Sequence, residues 1–278
     1  DGAGMITRDW AGYMMSATIL VGAEVDKLLS IGVVTAVLAV AVSRARRLMI
    51  AAAAERHAAE GLSRFFAPEV AGQIRETDLD LETPGTRREA AVLIVDLRGF
   101  SEISTRLSPV QTIELLSEYH ARIVPVIHGH GGAIDKYLGD GILATFGALR
   151  PSDSRAADAL AALCGVLREG AAWRASREGA PVQAPEVNAA LDVGTVTVGI
   201  VGHESRLEFT IIGDVVNRVA KLEKHTRTLD APAVVSTAVL EQAGGAVDLG
   251  GLSFHHHDGE AVPGLAEPMD LVAIRPDG

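Results

Sequence analysis

Hydrophobic and polar positions divide the chain into two parts with different patterns. Residues 28–42 form an uncharged apolar run, with Lys27 before it and three arginines within residues 44–47 after it. From residue 90 onward, short apolar runs alternate with amphipathic stretches and glycine-marked turns. The first pattern is typical of a membrane helix, and the second predicts a mixed α+β domain.

Residues 1–43 are predicted to be a membrane region of one or two helices. The run Leu28–Val42 is shorter than the roughly 20 residues that span a bilayer, but flanking basic side chains can extend to the lipid surface. A second helix is predicted at Trp10–Ala23, with a short turn at residues 24–27 between the two. A signal peptide is excluded because the basic cluster follows the apolar run. A buried helix of a soluble protein remains the alternative.

The arginines after the apolar run predict the orientation of the chain. By the positive-inside rule they lie in the cytoplasm, so the rest of the chain should extend from the inner face of the cell membrane. The chain opens on Asp1 and not on Met. We therefore expect a fragment or a processed product whose membrane region is truncated.

Between the membrane region and the α+β domain, two segments differ in periodicity. Residues 44–76 are predicted to be a helical, dimerising connector, because six positions recur at alternating spacings of four and three, as in a coiled coil. These positions are Leu48, Ala52, Glu55, Ala59, Leu62 and Phe66. Residues 77–89 carry charge and a Pro-Gly pair without periodicity, which predicts a linker. Residues 90–278 are then the folded domain.

The folded domain shows an order of elements close to β-α-β-β-α-β. Ser108 and Pro109 predict a helix start with a capping box. The buried face of that helix is predicted to contain Ile113, Leu116, Tyr119, Ile123 and Ile127. The other predicted elements are strand 90–95, hairpin 133–138 and 142–146, helix 154–168, a hairpin about Gly194 (187–193 and 195–201), strand 207–212, helix 215–225 capped by Asp214, and strands 233–235 and 269–274. This order is ferredoxin-like.

Two aspartates stand where apolar strands meet glycine-marked turns. Asp96 follows the strand 90–95, and Asp140 lies in the turn Gly139-Asp140-Gly141. Carboxylates held at a sheet edge beside exposed backbone N–H groups suit divalent metals and a polyphosphate. The alternative for Asp140 is simple hairpin chemistry, because Asp-Gly is a common two-residue turn.

Composition excludes several classes of protein. The formal net charge of −11 argues against a nucleic-acid partner, and the single cysteine excludes an intramolecular disulfide. The phosphate-binding pattern Gly-x-x-x-x-Gly-Lys-Ser/Thr is absent, which argues against a P-loop nucleotidase. The Gly-Gly-Asp/Glu-Glu-Phe loop of diguanylate cyclases is absent as well.

The two aspartate motifs, together with the run Phe209–Glu223, resemble the class III nucleotidyl cyclases. The resemblance extends from about Ala90 to Ile274, and three motifs in the family's order make it specific. It implies an elaborated ferredoxin-like fold and conversion of ATP to 3′,5′-cyclic AMP and pyrophosphate. It also implies two divalent ions, Mg²⁺ or Mn²⁺, held by Asp96, Asp140 and the backbone carbonyl of Leu97.

The same resemblance assigns the substrate contacts. The turn Gly99, Phe100, Ser101 would offer N–H groups to phosphate oxygens. Lys136 would donate to adenine N1 with Thr210 beside it, as in the threonine subgroup of adenylyl cyclases, some of which respond to bicarbonate. Arg206 lies near a family phosphate-binding arginine.

Two positions depart from the family pattern around the ribose and phosphates. Asn217 matches the asparagine that orients the ribose. Lys221 stands where the family has a transition-state arginine, so the charge is kept but the planar donor fork is lost. Arg218 is a possible replacement, although its helical phase points elsewhere. Pro263 stands where the family often has a phosphate-binding lysine.

The resemblance also implies a membrane-anchored homodimer with two composite active sites. One subunit would supply the metal aspartates and the other the base, ribose and transition-state residues. Two alternatives stay open. The chain could be a degenerate cyclase domain that serves as a dimerising membrane signalling module, or it could be a guanylyl cyclase.

Overall fold

The computed structural model describes residues 6–7, 9–15, 19–63, 85–203, 206–244 and 251–276. The chain separates into two compact units, Asp1–Phe66 and Ala67–Gly278.

The N-terminal unit is dominated by one long helix. Two short strands, β1 (Ile6–Thr7) and β2 (Ile19–Leu20), pair in parallel, with helix α1 (Trp10–Met15) between them. Helix α2 (Val21–Ser63) then runs for 43 residues without interruption. Within it, Val25–Arg47 is apolar and long enough to cross a membrane, and it is fully exposed in this unit. By length and composition this segment fits a membrane anchor, which on its own is weak support for one.

Helix α2 changes two of the predictions for this region. The predicted second helix at Trp10–Ala23 is wrong in extent, because α1 ends at Met15 and β2 follows. The predicted turn at residues 24–27 is wrong as well, because these residues lie inside α2. The helical part of the connector is confirmed up to Ser63. The side chains of its seam, from Leu48 onward, lie outside what the structure describes, and so does most of the linker.

The second unit begins, within the described residues, at Gly85 and contains alternating strands and helices. In chain order these are β3 (Thr86–Leu97), α3 (Phe100–Ser104), α4 (Pro109–Gly129), β4 (Ala133–Leu138), β5 (Gly141–Phe146), α5 (Arg155–Ser176), β6 (Val187–His203), β7 (Arg206–Ile212), α6 (Asp214–His225), β8 (Ala233–Ser236), α7 (Thr237–Ala243), β9 (Leu252–Glu260) and β10 (Met269–Pro276).

One sheet of eight strands organises this unit. Its order is β4-β5-β3-β6-β8-β10-β9, and β7 pairs with the distal half of β6. The pairs are antiparallel except for β6 with β8. The mixed α+β class is therefore confirmed. Strands β5, β3 and β6 are adjacent in this sheet, and the polar motifs lie at the ends of these strands.

Alternation along β3 separates two hydrophobic cores, one on each face of the sheet. Ala91, Leu93, Val95 and Leu97 face a core shared with helices α4, α5 and α7, which also buries Cys164. Ala90, Val92 and Ile94 face a second core that α6 covers. Because side chains alternate along a strand, Asp96 falls on the α6 side of the sheet.

The predicted hairpin about Gly194 is wrong. Residues 187–203 form the single strand β6, and it is β7 that folds back on it. Gly194 lies inside the strand, where a Cβ atom would come within 3.3 Å of the Cβ of Val215 on α6. The glycine therefore permits close helix packing instead of a turn.

The predicted start of α4 is confirmed, including its capping box. The Ser108 hydroxyl accepts from the Gln111 N–H, and the Gln111 side chain accepts from the Ser108 N–H. The buried face is shifted by part of a turn, since Leu115 is buried while Ile113 is 64% exposed. Tyr119, Ile123 and Ile127 are buried as predicted.

Several boundaries also differ from prediction. The linker does not extend to residue 89, because β3 begins at Thr86. Asp214 does not cap α6; Gly213 is the N-cap and Asp214 lies in the first turn. Strand β9 was not predicted, because its His255-His256-His257 run lacks apolar alternation.

Candidate active site

Asp96 and Asp140 are brought together by the pairing of β3 with β5. Asp96 lies one residue before the end of β3, and Asp140 lies in the β4–β5 turn. Gly139 adopts a left-handed conformation with φ of 73°, which lets the chain reverse at this turn. A Cβ atom on the neighbouring Gly141 would lie 3.7 Å from Oδ1 of Asp96. The two predicted metal-binding aspartates therefore share one site.

Without a bound cation, the charged forms of the carboxylates in this site are disfavoured by burial and by their mutual repulsion. Burial, and then the neighbouring Asp140 and Glu223 carboxylates, raise the pKa of Asp96 to about 7. Burial also raises the pKa of Glu223, although Arg227 and Lys224 act against that shift. The pKa of the Tyr119 hydroxyl is raised by burial and by the same two aspartates. Negative charge is concentrated here beyond what nearby cations neutralise.

Divalent metals fit this donor set. Carboxylate and backbone carbonyl oxygens are hard ligands of the kind that Mg²⁺ and Mn²⁺ prefer, and the buried Leu97 ends β3 next to Asp96. Within the described ranges, no cluster of three or more His, Cys, Asp or Glu side chains forms a closed metal site. An open pair of carboxylates leaves coordination positions for substrate phosphates.

The turn after Asp96 is the one that is predicted to contact phosphate. Gly99 has φ of 73° and is the N-cap of the short helix α3. Phe100 and Ser101 are its first residues, and the first N–H groups of a helix have no partner inside it. The Phe100 side chain is buried. Only the backbone of this turn, and the exposed Ser101, can therefore face a ligand.

Lys136 and Thr210 are in direct contact, although 74 residues separate them. The Nζ atom of Lys136 donates to Oγ1 of Thr210 at 2.7 Å. Asp135 lies beneath the pair, with its Oδ2 atom 3.3 Å from Nζ of Lys136 and 3.4 Å from Oγ1 of Thr210. Burial raises the pKa of Asp135, while the Lys136 ammonium lowers it.

Asn217 and Lys221 line a separate cavity of about 780 Å³ on the α6 side. Nζ of Lys221 donates to the backbone carbonyl of Gly264 in the β9–β10 loop, one residue after Pro263. Of the described residues, neither Asp96 nor Asp140 lines this cavity. The predicted metal residues are therefore not part of the cavity that the predicted ribose residues line.

Arg218 lines the same cavity as Lys221, and its guanidinium is bound to groups of β6. Its Nε atom donates to Oδ2 of Asp192 at 2.8 Å, and its Nη2 atom donates to the carbonyl of Val193. Arg206 opens β7, where it pairs with His203, but its side chain falls outside what the structure describes. A phosphate contact by Arg206 stays a prediction.

Sequence reasoning missed several polar residues of this region. Asp192 is buried in β6, where Arg218, the Ser236 hydroxyl and the Val193 N–H all donate to it. Its charge inside an apolar run predicts a buried partner, but the sequence does not say which cation supplies it. Asp135 was visible beside Lys136 and was given no role. Asn188, opposite Asp96 in the register, is fully buried.

Comparison with protein families decides what kind of site this is. The family described as the adenylate and guanylate cyclase catalytic domain matches residues 84–243, which is more than half of the chain. The chain belongs to this family. Its second unit is thus a class III cyclase catalytic domain, and the family resemblance drawn from the three motifs is confirmed.

Curated relatives of this cyclase domain include adenylate cyclases. It is 29% identical over 169 residues to an adenylate cyclase of Anabaena cylindrica, which covers 59% of this chain and 32% of that protein. It is 28% identical over 156 residues to adenylate cyclase 1 of Rhizobium meliloti, covering 56% and 24%. The chain therefore matches a third or less of the length of these relatives.

Solved structures share the fold and include both nucleotide specificities. The guanylyl cyclase Cya2 aligns with a TM-score of 0.60 at 28% identity, covering 70% of this chain and 96% of that one. The adenylyl cyclase CyaB of P. aeruginosa aligns with a TM-score of 0.61 at 23% identity, covering 69% and 96%. The comparisons therefore establish a cyclase domain. They do not decide between ATP and GTP, so that choice has to be argued from the residues of the site.

Proposed function

We propose that this chain is an adenylyl cyclase, which converts ATP to 3′,5′-cyclic AMP and pyrophosphate. The ribose 3′-oxygen would attack the α-phosphorus while the bond from that phosphorus to the pyrophosphate oxygen breaks. The observation that carries the purine assignment is the contact of Lys136 with Thr210. An ammonium donates to adenine N1, which is an acceptor, whereas guanine N1 carries a proton and gives it no acceptor.

Asp96, Asp140 and the Leu97 carbonyl are the proposed ligands of two divalent ions, Mg²⁺ or Mn²⁺. When bound, such ions lower the pKa of the ribose hydroxyl and neutralise the leaving pyrophosphate. The proposed role of the turn Gly99, Phe100, Ser101 is to donate backbone hydrogen bonds to phosphate oxygens. Arg206 is proposed as a further phosphate contact.

Asn217 and Lys221 are proposed to act on the ribose and on the charge of the transition state. Asn217 is exposed on α6 and offers both a donor and an acceptor to ribose oxygens. Lys221 supplies a positive charge that has to leave the Gly264 carbonyl to reach a phosphate. Lysine makes point contacts where arginine makes two parallel ones, so a modest rate is expected.

The direct test is an assay of the purified full chain with ATP and with GTP, each in Mg²⁺ and in Mn²⁺. We expect cyclic AMP as the main product and little cyclic GMP. In the double variant Lys136→Glu, Thr210→Cys, ATP use should fall. Equal rates with ATP and GTP in the unmodified chain would contradict the proposed pocket.

A guanylyl cyclase is the second candidate, because the solved guanylyl cyclase Cya2 is 28% identical to this chain. Family guanylyl cyclases typically carry glutamate and cysteine where this chain has Lys136 and Thr210. The GTP arm of the same assay decides between the two. Absence of cyclase activity with either nucleotide in either metal would instead favour a degenerate signalling domain.

We propose further that the chain acts as a head-to-tail homodimer with two composite sites. Support comes from the cavity that Asn217 and Lys221 line, because neither aspartate is part of that lining. An Asp96→Ala chain mixed with an Asn217→Ala chain should regain part of the lost activity. If heterodimers form and remain as inactive as each variant alone, the composite model is wrong.

The proposed location is the inner face of the cell membrane, with the cyclase domain in the cytoplasm. Support comes from the apolar segment Val25–Arg47 and from the basic cluster at its end. Fractionation of cells that express the chain tests this. The chain should stay with membranes after a high-salt wash and be released by detergent.

A further inference from the structure

A carboxylate lies beneath the two residues that contact the purine in the proposed function. The Asp135 side chain is only 5% exposed, and its Oδ2 atom is 3.3 Å from Nζ of Lys136. The same oxygen is 3.4 Å from Oγ1 of Thr210. Asp135 lies on β4 and Thr210 on β7, so the carboxylate joins the two strands that form the pocket.

The Asp135 carboxylate determines where the proton of the Thr210 hydroxyl points. A hydroxyl has one proton to donate and two lone pairs that accept. Lys136 has only protons to donate, and it uses one of them on Oγ1 of Thr210. The hydroxyl proton of Thr210 then has two acceptors within reach, the Asp135 carboxylate and the carbonyl of Ile211 at 3.5 Å. The ionised carboxylate is the stronger acceptor.

The direction of this proton matters because threonine alone is ambiguous toward a purine. Adenine offers an amino donor at position 6 and an acceptor at N1. Guanine and hypoxanthine offer an oxygen acceptor at position 6 and a proton at N1. A free hydroxyl could accept from the amino group or donate to the oxygen. A hydroxyl whose proton is bound to Asp135 can only accept.

We propose that Asp135 is a specificity-determining positioning residue, which holds the Thr210 proton and the Lys136 ammonium and thereby selects 6-amino over 6-oxo purine triphosphates. This inference rests on the proposed adenylyl cyclase function. It adds a third residue to the pocket, and that residue acts through its neighbours without touching the base.

Inosine triphosphate is the appropriate competitor for a test. It differs from ATP only at position 6 and at the N1 proton, so the 2-amino group of guanine does not complicate the comparison. The full chain and three variants, Asp135→Glu, Asp135→Asn and Asp135→Leu, would be compared by kcat/KM for ATP and for inosine triphosphate. Equilibrium binding of the two 3′-deoxy triphosphates, which lack the attacking hydroxyl, gives a readout that does not require turnover.

The preference for the adenine nucleotide should decrease in the order Asp, Glu, Asn, Leu at position 135. Glutamate keeps the charge, asparagine keeps an oxygen acceptor, and leucine removes both. For Asp135→Leu we expect the ratio to fall about tenfold, the size of one hydrogen bond to a charged group. If Leu does not fold, the ratio in Asp135→Asn still has to fall for the proposal to stand.

Glu118 provides a matched control on the other face of the sheet. Its carboxylate accepts from Trp173 and Arg177 and is 32% exposed. Glu118→Leu should lower thermal stability without changing the nucleotide ratio. The proposal is overturned if all three Asp135 variants keep the ratio of ATP to inosine triphosphate of the unmodified chain, both in binding and in turnover. In that case a preference for ATP in the unmodified chain would still support the adenylyl cyclase function, and only its absence would count against that function.

Discussion

Two aspartates of the central strands, the half-buried Asp96 and the buried Asp192, have opposite surroundings. Asp192 accepts from the Arg218 guanidinium, the Ser236 hydroxyl and a backbone N–H, all at 2.6–2.8 Å. Asp96 has two further carboxylates as neighbours, and its pKa is raised to about 7. Both residues interrupt apolar strands of the same sheet. Asp192 is thus neutralised within the fold, whereas Asp96 belongs to the proposed metal site, and a strongly raised pKa is common at functional sites.

The largest expected effect is a loss of activity when either carboxylate of the Asp96 and Asp140 pair is removed. Asp96→Ala or Asp140→Ala should reduce cyclic AMP formation about a thousandfold or more, because each removes a proposed ligand of the metals. Thermal stability should not fall, since like-charge repulsion is relieved. Cyclic AMP production and a melting curve on the same sample measure both. Near-normal turnover in either variant would contradict the assignment.

A smaller effect, on stability, is expected from the neutralised aspartate. Arg218→Met keeps the aliphatic stem but leaves the Asp192 carboxylate, 2% exposed, without its cation. We expect the free energy of unfolding to fall by about 3 kcal/mol, measured by chemical denaturation. Asp192→Asn should cost less, because Arg218 is 32% exposed and can turn to water. The reverse order would mean that the guanidinium is the more buried charge.

The smallest effect is expected on the pH dependence of stability. The Asp96 pKa is raised from 3.8 to about 7, so between these values the folded chain binds a proton that the unfolded chain has lost. Stability from this group is therefore lost as pH rises toward 7. In EDTA, the melting temperature should fall more between about pH 5 and about pH 8 in the unmodified chain than in Asp96→Asn.

Metal adds a second measurement to the same comparison. Mg²⁺ or Mn²⁺ should raise the melting temperature most above about pH 7, where the Asp96 carboxylate is ionised. Asp96→Asn should show a weaker response, and Glu118→Gln should respond as the unmodified chain does. Equal stabilisation of all three by metal would argue against binding at the aspartate pair.

Local sequence patterns predicted the parts of this domain that depend on neighbouring residues. The capping box at Ser108, the hairpin around Gly139-Asp140-Gly141 and the strand before Asp96 all follow from short-range chemistry. Gly194 was misinterpreted because glycine serves both turns and close packing, and only the position of Val215 decides between them. Local pattern cannot report a contact made by a helix 20 residues later in the chain.

Long-range polar contacts were predicted only as far as the family resemblance extended. It paired Lys136 with Thr210, and the structure brings them to 2.7 Å. It gave no role to Asp135 and no partner to Asp192, because those interactions depend on which strands are adjacent in this sheet. The resemblance also implied that Asn217 and Lys221 act apart from the aspartates of their own chain, and neither aspartate lines the cavity that these two residues line.

The contact between Lys136 and Thr210 also shows that the sheet is strongly curved. In the order β4-β5-β3-β6-β7, four interstrand spacings separate the strands of these residues. A flat sheet would hold those strands about 19 Å apart. The sheet is therefore curved strongly enough for its edge strand β4 to contact β7. A nucleotide base bound by Lys136 and Thr210 would connect β4 to β7. Recognition of the base would then also stabilise the curved form of the sheet.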